Sequence, residues 1–192
     1  MKKLLFFIVI VLLSFSYSVT AGAVENEGRS WQNETIYYLM VDRFNNNDFN
    51  NDFTVNVDDP NAYHGGDFEG IMAQLDYIKG MGFTTIALTP IFNNEAGGYH
   101  GYWISDYYQT EEHFGTIETF KQLVEEAHKR DIKVMIEFVA NYVGPNHPWL
   151  EDPEKAGWFH KNQDNTNLKS SWVKGLPVLD QENDEVRDYL IE

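Results

Sequence analysis

Three short, mainly apolar segments separated by two amphipathic helical patterns constrain the fold of this chain most strongly. The segments are residues 36–41, 84–89 and 132–139, and they read as strands that are covered on both faces. Between them, apolar residues recur at helical spacing over residues 68–78 and 117–127. This alternation of strands and helices predicts a parallel α/β sheet.

Two architectures are compatible with that pattern. A doubly wound sheet commonly has a Gly-rich phosphate-binding turn directly after its first strand, and residues 42–47 contain no glycine. A (β/α)8 TIM barrel places long functional loops after its strands, and long polar or aromatic loops follow here, for example at 42–66 and 90–115. The sequence therefore favours the N-terminal portion of an incomplete (β/α)8 TIM barrel, with about three β/α units. Residues 183–191 read as the opening of a third helix.

The first 23 residues have the three parts of a secretory signal peptide. Lys2 and Lys3 precede an apolar run over residues 4–15, and small residues follow at 21–23. Because the run is shorter than the roughly 20 apolar residues of a membrane-spanning helix, we expect cleavage after Ala23 and a secreted, extracellular protein that is not attached to a membrane.

The net charge narrows the choice of partner. Loss of two lysines with the signal peptide would change the formal charge from −16 to −16 − 2 = −18. Such a chain repels nucleic acids and anionic membranes, whereas it suits neutral substrates and divalent cations. The chain has no cysteine, so its stability must come from a packed core or from bound metal.

A run of Asn and Asp at residues 45–52 is the first candidate site. Calcium prefers six to eight oxygen ligands from carboxylates, amides and carbonyls, which this run supplies. A solvated turn has the same composition, and composition alone favours the turn because no EF-hand spacing is present. Asp67, directly before the first helix, fits an N-cap and also fits a metal ligand beside the Gly65 carbonyl.

Two further candidates follow the second and third strands. His100 and Tyr102 lie in a Gly- and aromatic-rich loop, where an aromatic face can stack on a sugar ring and an imidazole can bond its hydroxyls. Trp103 is expected to pack this loop onto the barrel. Glu137 and Asn141 lie at the end of the third strand, where barrel enzymes place site residues, although a buried Glu held by local hydrogen bonds is the competing interpretation.

Taken together, these segments resemble the α-amylase family of glycoside hydrolases (family 13 type), especially bacterial secreted α-amylases and cyclodextrin glucanotransferases. The resemblance extends from about Glu34 to the end and includes H-G-Y-W at residues 100–103. It implies a sugar-stacking role for Tyr102, a substrate-contacting role for His100, and α-glucans such as starch and maltooligosaccharides as partners. It also implies calcium as cofactor, and we expect a monomer.

The same resemblance assigns metal ligands. D-R-F at residues 42–44, the Asn/Asp run and G-G-D at 65–67 are similar to an extra calcium site of cyclodextrin glucanotransferases, which reverses the interpretation from composition alone. The ligands that it implies are Asn46, Asp48, Asn51, Asp52, the Gly65 carbonyl and Asp67.

Residues 137–142 resemble the family stretch D-x-V-x-N-H, with two departures from it, and a third departure lies in residues 176–180. Asn141 is retained and is implied to bind the principal calcium, while Tyr142 stands at the position of a substrate-binding histidine and Glu137 at that of Asp. In L-P-V-L-D at residues 176–180, Val178 replaces a calcium-binding carboxylate. We assign Tyr142 to substrate binding and expect the principal calcium site to lack one ligand.

The family places its nucleophilic Asp, acid Glu and third Asp after later strands, so no catalytic residue is assigned in this chain. The predicted organisation is a signal peptide at 1–23, three barrel strands within 24–141, the start of an inserted loop domain at 142–182 and the start of a helix at 183–192. We expect the N-terminal part of an enzyme that hydrolyses α-1,4-glucosidic bonds, inactive alone. The alternatives are a carbohydrate-binding remnant without catalysis and the product of a decayed gene.

Overall fold

The computed structural model describes residues 30–162, 166–169 and 175–191. The chain divides after Asn33 into two compact units. The described residues of the first unit form one 3-10 turn, Trp31–Asn33, and the predicted signal peptide lies outside the described residues.

The second unit contains two small sheets in its described residues. The strands are β1 (Ile36–Leu39), β2 (Thr85–Leu88), β3 (Phe92–Asn94), β4 (Ile104–Thr110) and β5 (Lys133–Ile136). β1, β2 and β5 form a parallel sheet in that spatial order, with Leu39 level with Leu88 and Leu88 level with Ile136. The carboxyl ends of all three strands therefore meet at one edge, as in the predicted barrel.

Helices follow the strands in the predicted order. They are α1 (Phe68–Ala73), α2 (Leu75–Gly80), α3 (Ile117–Lys129) and α4 (Asp184–Ile191), with short 3-10 helices at Val41–Arg43, Pro148–Leu150 and Pro153–Trp158. The single helix predicted at 68–78 is interrupted at Gln74, although the apolar stripe continues through the break. The side chains of Asp67 and Thr116 accept hydrogen bonds from Gly70 and Thr119, and so cap α1 and α3.

The main core lies between the parallel sheet and the first three helices. It includes Phe68 and Ile71 of α1, Leu75 and Ile78 of α2, Leu123 and Ala127 of α3, and Ile86 and Leu88 of β2. β2 is buried along its whole length, as predicted. Within the described residues, β1 and β5 each pair with one strand only, and side chains are exposed on both, Ile36 and Tyr38 on β1 and Met135 on β5. The prediction that these two strands are covered on both faces is therefore wrong.

The region predicted as a loop at 90–115 contains the antiparallel pair β3 and β4, which the sequence interpretation missed. Ile104 and Tyr107 of β4 are buried and join a second core with Val139, Trp158 and Leu179. This second core links the hairpin to the segment after β5. Within the described part of the chain, no helix has the length and apolar character required to cross a bilayer.

Candidate functional site

Three side chains converge at the carboxyl edge of the parallel sheet. Glu137 directly follows β5, Tyr38 lies near the end of β1, and Tyr102 lies in the turn between β3 and β4. The Tyr38 hydroxyl donates to Glu137 Oε2 at 2.6 Å and the Tyr102 hydroxyl donates to the same oxygen at 2.7 Å. The two phenolic oxygens are 3.2 Å apart.

His100 is held beside Tyr102 in a defined tautomer. Its Nδ1 accepts the backbone N–H of Tyr102 at 3.0 Å, so in the neutral ring the proton resides on Nε2. Burial, and secondarily the positive charge of Arg43, lower the pKa of His100. At neutral pH the ring is therefore uncharged, and Nε2–H can donate to a ligand hydroxyl.

Arg43 connects this turn to the loop after β1. Its guanidinium carbon lies 4.2 Å from the centre of the Tyr99 ring, a cation–π contact. Nη2 donates to the carbonyls of Pro60 and Ala62 at 3.0 and 2.9 Å, and Nε pairs with Asp42 at 2.9 Å. One cation thus fixes the loop after β1 against the aromatic turn that holds His100.

Trp103 contributes to the shape of the same turn. Its backbone N–H donates to Asn94 Oδ1 at 2.8 Å, and its ring meets His100 edge-on with centroids 5.1 Å apart. The turn also needs Gly101, which has φ of +87° and whose Cβ, if present, would overlap the Pro90 carbonyl. The close approach of backbone to backbone explains a glycine here.

Tyr142 lies close to the Glu137 cluster on the segment that leaves β5. Burial, and then the negative charge of Glu137, raise the pKa of the Tyr142 phenol. The Tyr107 hydroxyl donates to the backbone carbonyl of Val139 at 2.9 Å and lies 3.3 Å from the backbone carbonyl of Tyr142. These contacts support the backbone of this segment. The structure thus brings His100, Tyr102 and Tyr142 to one end of the sheet.

The Asn/Asp loop brings together part of its predicted ligand set. Asn46 Nδ2 donates to both carboxylate oxygens of Asp52 at 2.8 and 2.9 Å. Gly65 packs directly against both side chains, since a Cβ there would lie 2.6 Å from Asp52 Oδ1. Asn46 Oδ1 is buried without a hydrogen-bond partner, as are both polar atoms of Asn51, a side chain that is only 7% exposed.

Unpartnered buried amide oxygens are costly, and they are ligands that a calcium ion accepts. The buried amide oxygens of Asn46 and Asn51, with the Asp52 carboxylate beside Asn46, therefore fit a hard cation, and the Gly65 carbonyl as a further ligand stays a prediction. Asp48 Oδ1 accepts from Asn50. No group of three or more His, Cys, Asp or Glu side chains within the described ranges is arranged to hold a metal, so amides and carbonyls would be needed here.

Asp67 serves as a structural acceptor. It is fully buried, Oδ1 accepts from Gly70 at 2.5 Å, and Oδ2 accepts from the backbone N–H groups of Asn47 and Asp48 at 3.0 and 2.8 Å. It therefore caps α1 and fixes the start of the Asn/Asp loop at the same time. This geometry corresponds to the N-cap interpretation.

The second predicted metal position has a different donor set. Asn141 is exposed, and its backbone carbonyl accepts from Leu179 at 2.9 Å. Val178 is paired with Tyr142 in an antiparallel bridge and supplies no oxygen from its side chain. Val178 therefore offers no ligand at this position, and Asn141 as a ligand of the principal calcium stays a prediction.

Sequence reasoning missed Tyr38 and a buried pair formed by Glu111 and His113. His113 Nδ1 lies 2.6 Å from Glu111 Oε1, and Nε2 lies 2.8 Å from the Phe53 carbonyl. Tyr38 could have been identified as the polar tip nearest the carboxyl end of an otherwise apolar strand, by the same rule that selected Glu137. The contact between His113 and the Phe53 carbonyl joins residues 60 positions apart, so no local sequence pattern indicates it.

Comparison with known proteins decides the family. A family model described as the catalytic domain of α-amylase matches residues 36–175. The chain belongs to the α-amylase family. A β/α-amylase of Paenibacillus polymyxa is 40% identical over 188 residues, which cover 86% of this chain and 16% of that amylase.

Two solved α-amylases share this fold. The α-amylase of Anoxybacillus is 57% identical with a TM-score of 0.79, and that of Geobacillus thermoleovorans, solved in complex with acarbose, is 58% identical with a TM-score of 0.76. Each match covers 85% of this chain and 37% of the solved chain. The predicted fold class is confirmed: the chain is an N-terminal portion of an α-amylase (β/α)8 barrel, with a small parallel sheet and no closed barrel in its described residues.

Proposed function

We propose that this α-amylase-family chain forms the front part of the substrate-binding cleft of a secreted, calcium-binding enzyme that hydrolyses α-1,4 bonds in starch-like glucans. Its own contribution is to bind the glucan rather than to cleave it. The carboxylates of the family reaction correspond to later strands, so we infer that the chain is inactive alone.

The convergence of Tyr38, Tyr102, His100 and Glu137 at the carboxyl edge of the sheet carries this proposal. Two phenol rings give flat apolar faces, while His100 Nε2–H offers a hydrogen-bond donor beside them. Sugars present apolar ring faces surrounded by hydroxyls, so a neutral glucan matches this surface in both respects. Because a glucan is uncharged, the strongly negative charge of the chain does not repel it.

Calcium belongs to this proposal through the Asn/Asp loop. Asn46, Asn51, Asp52 and the Gly65 carbonyl would hold the ion, while Asp48 and Asp67 would complete or support the loop. When bound, calcium would supply positive charge to the buried amide and carboxylate oxygens and so order the loop.

A titration with maltoheptaose, followed by tryptophan fluorescence, tests glucan binding. Trp103 adjoins His100, so we expect a saturable change in the wild-type chain and its loss in Tyr102→Ala. The matched control is Tyr77→Ala, because Tyr77 is 56% exposed on α2 and makes no part of the cluster. A flat wild-type titration, or equal binding by Tyr102→Ala, contradicts the proposal.

Release of reducing sugar from soluble starch tests whether the chain is inactive alone. We expect binding without hydrolysis by the chain alone, and hydrolysis by this chain would overturn its inactivity. Secretion is tested separately by N-terminal sequencing of the protein in the culture medium, for which we expect Val24 as the first residue.

A further inference from the structure

Glu137 Oε2 is the common acceptor for two phenols that come from different parts of the sheet edge. Tyr38 reaches it from β1 and Tyr102 from the turn between β3 and β4, at 2.6 and 2.7 Å. Among the described residues, the second oxygen, Oε1, accepts no hydrogen bond. A single carboxylate oxygen, on the residue after β5, thus connects that segment to β1 and to the turn between β3 and β4.

We propose that Glu137 is a positioning residue that fixes the Tyr38 and Tyr102 rings as one two-ring platform for a glucan. This inference rests on the proposed function, and it adds Tyr38 and Glu137 to the binding surface. Tyr38 is 58% exposed, so its ring face is open to a ligand while its hydroxyl is held. Tyr102 is half-buried in its turn and takes the same acceptor.

The number of phenolic hydrogens in the cluster determines which hydrogen bonds the platform can make with a sugar. Each phenol has one hydrogen, and donation to Glu137 uses both of them. The 3.2 Å contact between the Tyr38 and Tyr102 oxygens then carries no hydrogen, and both oxygens remain acceptors for sugar hydroxyls. Hydrogen bonds to an ionised carboxylate are stronger than those between neutral groups, which favours a single orientation of each ring.

The geometry also explains why a glutamate is suited to this position. Ile136, the last residue of β5, is level with Leu88 of β2 and, through it, with Leu39 of β1. Glu137 is therefore one residue beyond the paired strands, whereas Tyr38 is one residue before the end of β1. The longer side chain brings one oxygen within reach of both phenols, and an aspartate at the same backbone position would end one methylene short.

Four variants test the proposal: Glu137→Gln, Glu137→Ala, Tyr38→Phe and the control Tyr77→Phe. For Glu137→Ala we expect maltoheptaose to bind about three- to tenfold more weakly, because two hydrogen bonds that order the rings are lost. Glu137→Gln keeps the size and one acceptor oxygen and should restore part of this loss. Tyr38→Phe should weaken binding less than Glu137→Ala, and Tyr77→Phe should leave it unchanged.

Alkaline titration of phenolate absorbance provides a readout that a purely structural role would not change. Burial, contact with the partner phenol and the charge of Glu137 together raise the pKa of Tyr102, and burial and the bond to Glu137 raise that of Tyr38. In Glu137→Gln we expect Tyr38 to ionise at lower pH than in the wild type, and in Tyr77→Phe we expect its titration to stay unchanged.

The outcomes distinguish this inference from the proposed function. If the wild type binds maltoheptaose and all Glu137 and Tyr38 variants bind equally well, the positioning role is wrong and the proposed function stands. An unchanged phenolate titration in Glu137→Gln also overturns the inference. If the wild type does not bind, the proposed function fails together with the role in glucan binding, while the phenolate titration still reports whether Glu137 holds the Tyr38 ring.

Discussion

Tyr142 and Val178 face each other as partners in an isolated antiparallel bridge. Both stand where the α-amylase family is expected to carry other residues, a histidine and a carboxylate. Partners in an antiparallel pair have their side chains on the same side, and an aromatic ring beside a β-branched residue is a stabilising combination. The two departures therefore form one local apolar contact at the junction between β5 and the following segment.

This contact predicts the number of calcium ions that the chain binds. Val178 supplies no oxygen, while the Asn/Asp loop retains unpartnered amide oxygens. We expect one calcium ion per wild-type chain, and a second one in the double variant Tyr142→His/Val178→Asp, measured by isothermal titration calorimetry in calcium-free buffer. In the absence of calcium, Val178→Asp alone should lower the free energy of unfolding by about 1 kcal/mol, because a half-buried apolar side chain becomes charged.

Asp52→Ala is the control for that experiment. It removes a carboxylate from the Asn/Asp loop without touching Tyr142 or Val178, so it should abolish the wild-type site and leave one site in the double variant. Two bound ions in the wild type would contradict the prediction. So would a double variant that gains none.

The Gly65 backbone provides a separate test of the calcium loop. Gly65 and Gly82 have nearly the same positive φ, +88° and +89°, but a Cβ at Gly65 would meet Asn46 and Asp52 whereas one at Gly82 would meet nothing within 4 Å. Substitution by alanine costs about 1 kcal/mol of conformational strain at either position. Only Gly65→Ala displaces ligands as well.

We therefore expect Gly65→Ala to weaken calcium binding by roughly tenfold or more, and Gly82→Ala to leave it unchanged while losing similar stability. Terbium luminescence, with calcium as competitor, measures the affinity of both variants. Equal calcium affinity in the two variants would remove Gly65 from the site.

Much of the framework could be predicted from sequence because it depends on periodicity and local chemistry. The three apolar segments form parallel strands, the helical stripes form α1 to α3, and Asp67 is an N-cap, as predicted. The hairpin of β3 and β4 could not, since its many glycines and aromatics are typical of a loop, and pairing between Phe92 and Thr110 is not encoded in either segment alone.

In the candidate site, too, features with a local sequence signal could be predicted and long-range contacts could not. His100, Tyr102 and Glu137 could be placed by their position after strands, while the bond between Glu137 and Tyr38 spans 99 residues of sequence and has no local signature. Asp67 was expected to serve as an N-cap and as a metal ligand; its hydrogen bonds to backbone N–H groups confirm the N-cap, and its role as a metal ligand stays a prediction. Contacts that close long loops require the fold itself.

His147 predicts a loss of stability in acid. It is 1% exposed, its Nδ1 accepts the backbone N–H of Trp149 at 3.2 Å, and Nε2 has no partner among the described residues. Burial lowers the pKa of His147 from its ordinary 6.5 to about 4, against a smaller opposing effect of Asp106. Since the folded state resists protonation, the associated stability is present above pH 6.5 and is lost as the pH falls from 6.5 to about 4.

The expected loss is about 3 kcal/mol across that window, measured as the free energy of unfolding by urea at several pH values. His147→Asn keeps a side-chain acceptor for the cap and cannot titrate, so its pH slope should be smaller than that of the wild type. His128→Asn, on the exposed side of α3, is the control and should retain the wild-type slope. A His147→Asn slope equal to that of the wild type would show that His147 is not the titrating group.

His113 predicts the opposite dependence on pH. Its two ring nitrogens face two acceptors, Glu111 Oε1 at 2.6 Å and the Phe53 carbonyl at 2.8 Å, and its ring stacks on Tyr63 with centroids 3.6 Å apart. Only the charged imidazolium can donate to both acceptors. Burial alone would lower the pKa of His113, but the hydrogen bond and charge of Glu111 outweigh it, and the pKa is raised.

A histidine with a raised pKa contributes stability that is complete below its unfolded pKa of about 6.5 and is lost as the pH rises through the folded pKa. We therefore expect the free energy of unfolding to fall from pH 6 into the alkaline range as the link between Phe53 and Glu111 weakens. Glu111→Gln removes the charge that raises this pKa, so the variant should be less stable than the wild type at pH 6. It should also lose less stability as the pH rises. His128→Asn again serves as the matched control, and a Glu111→Gln profile parallel to the wild type would exclude the His113–Glu111 pair as the cause.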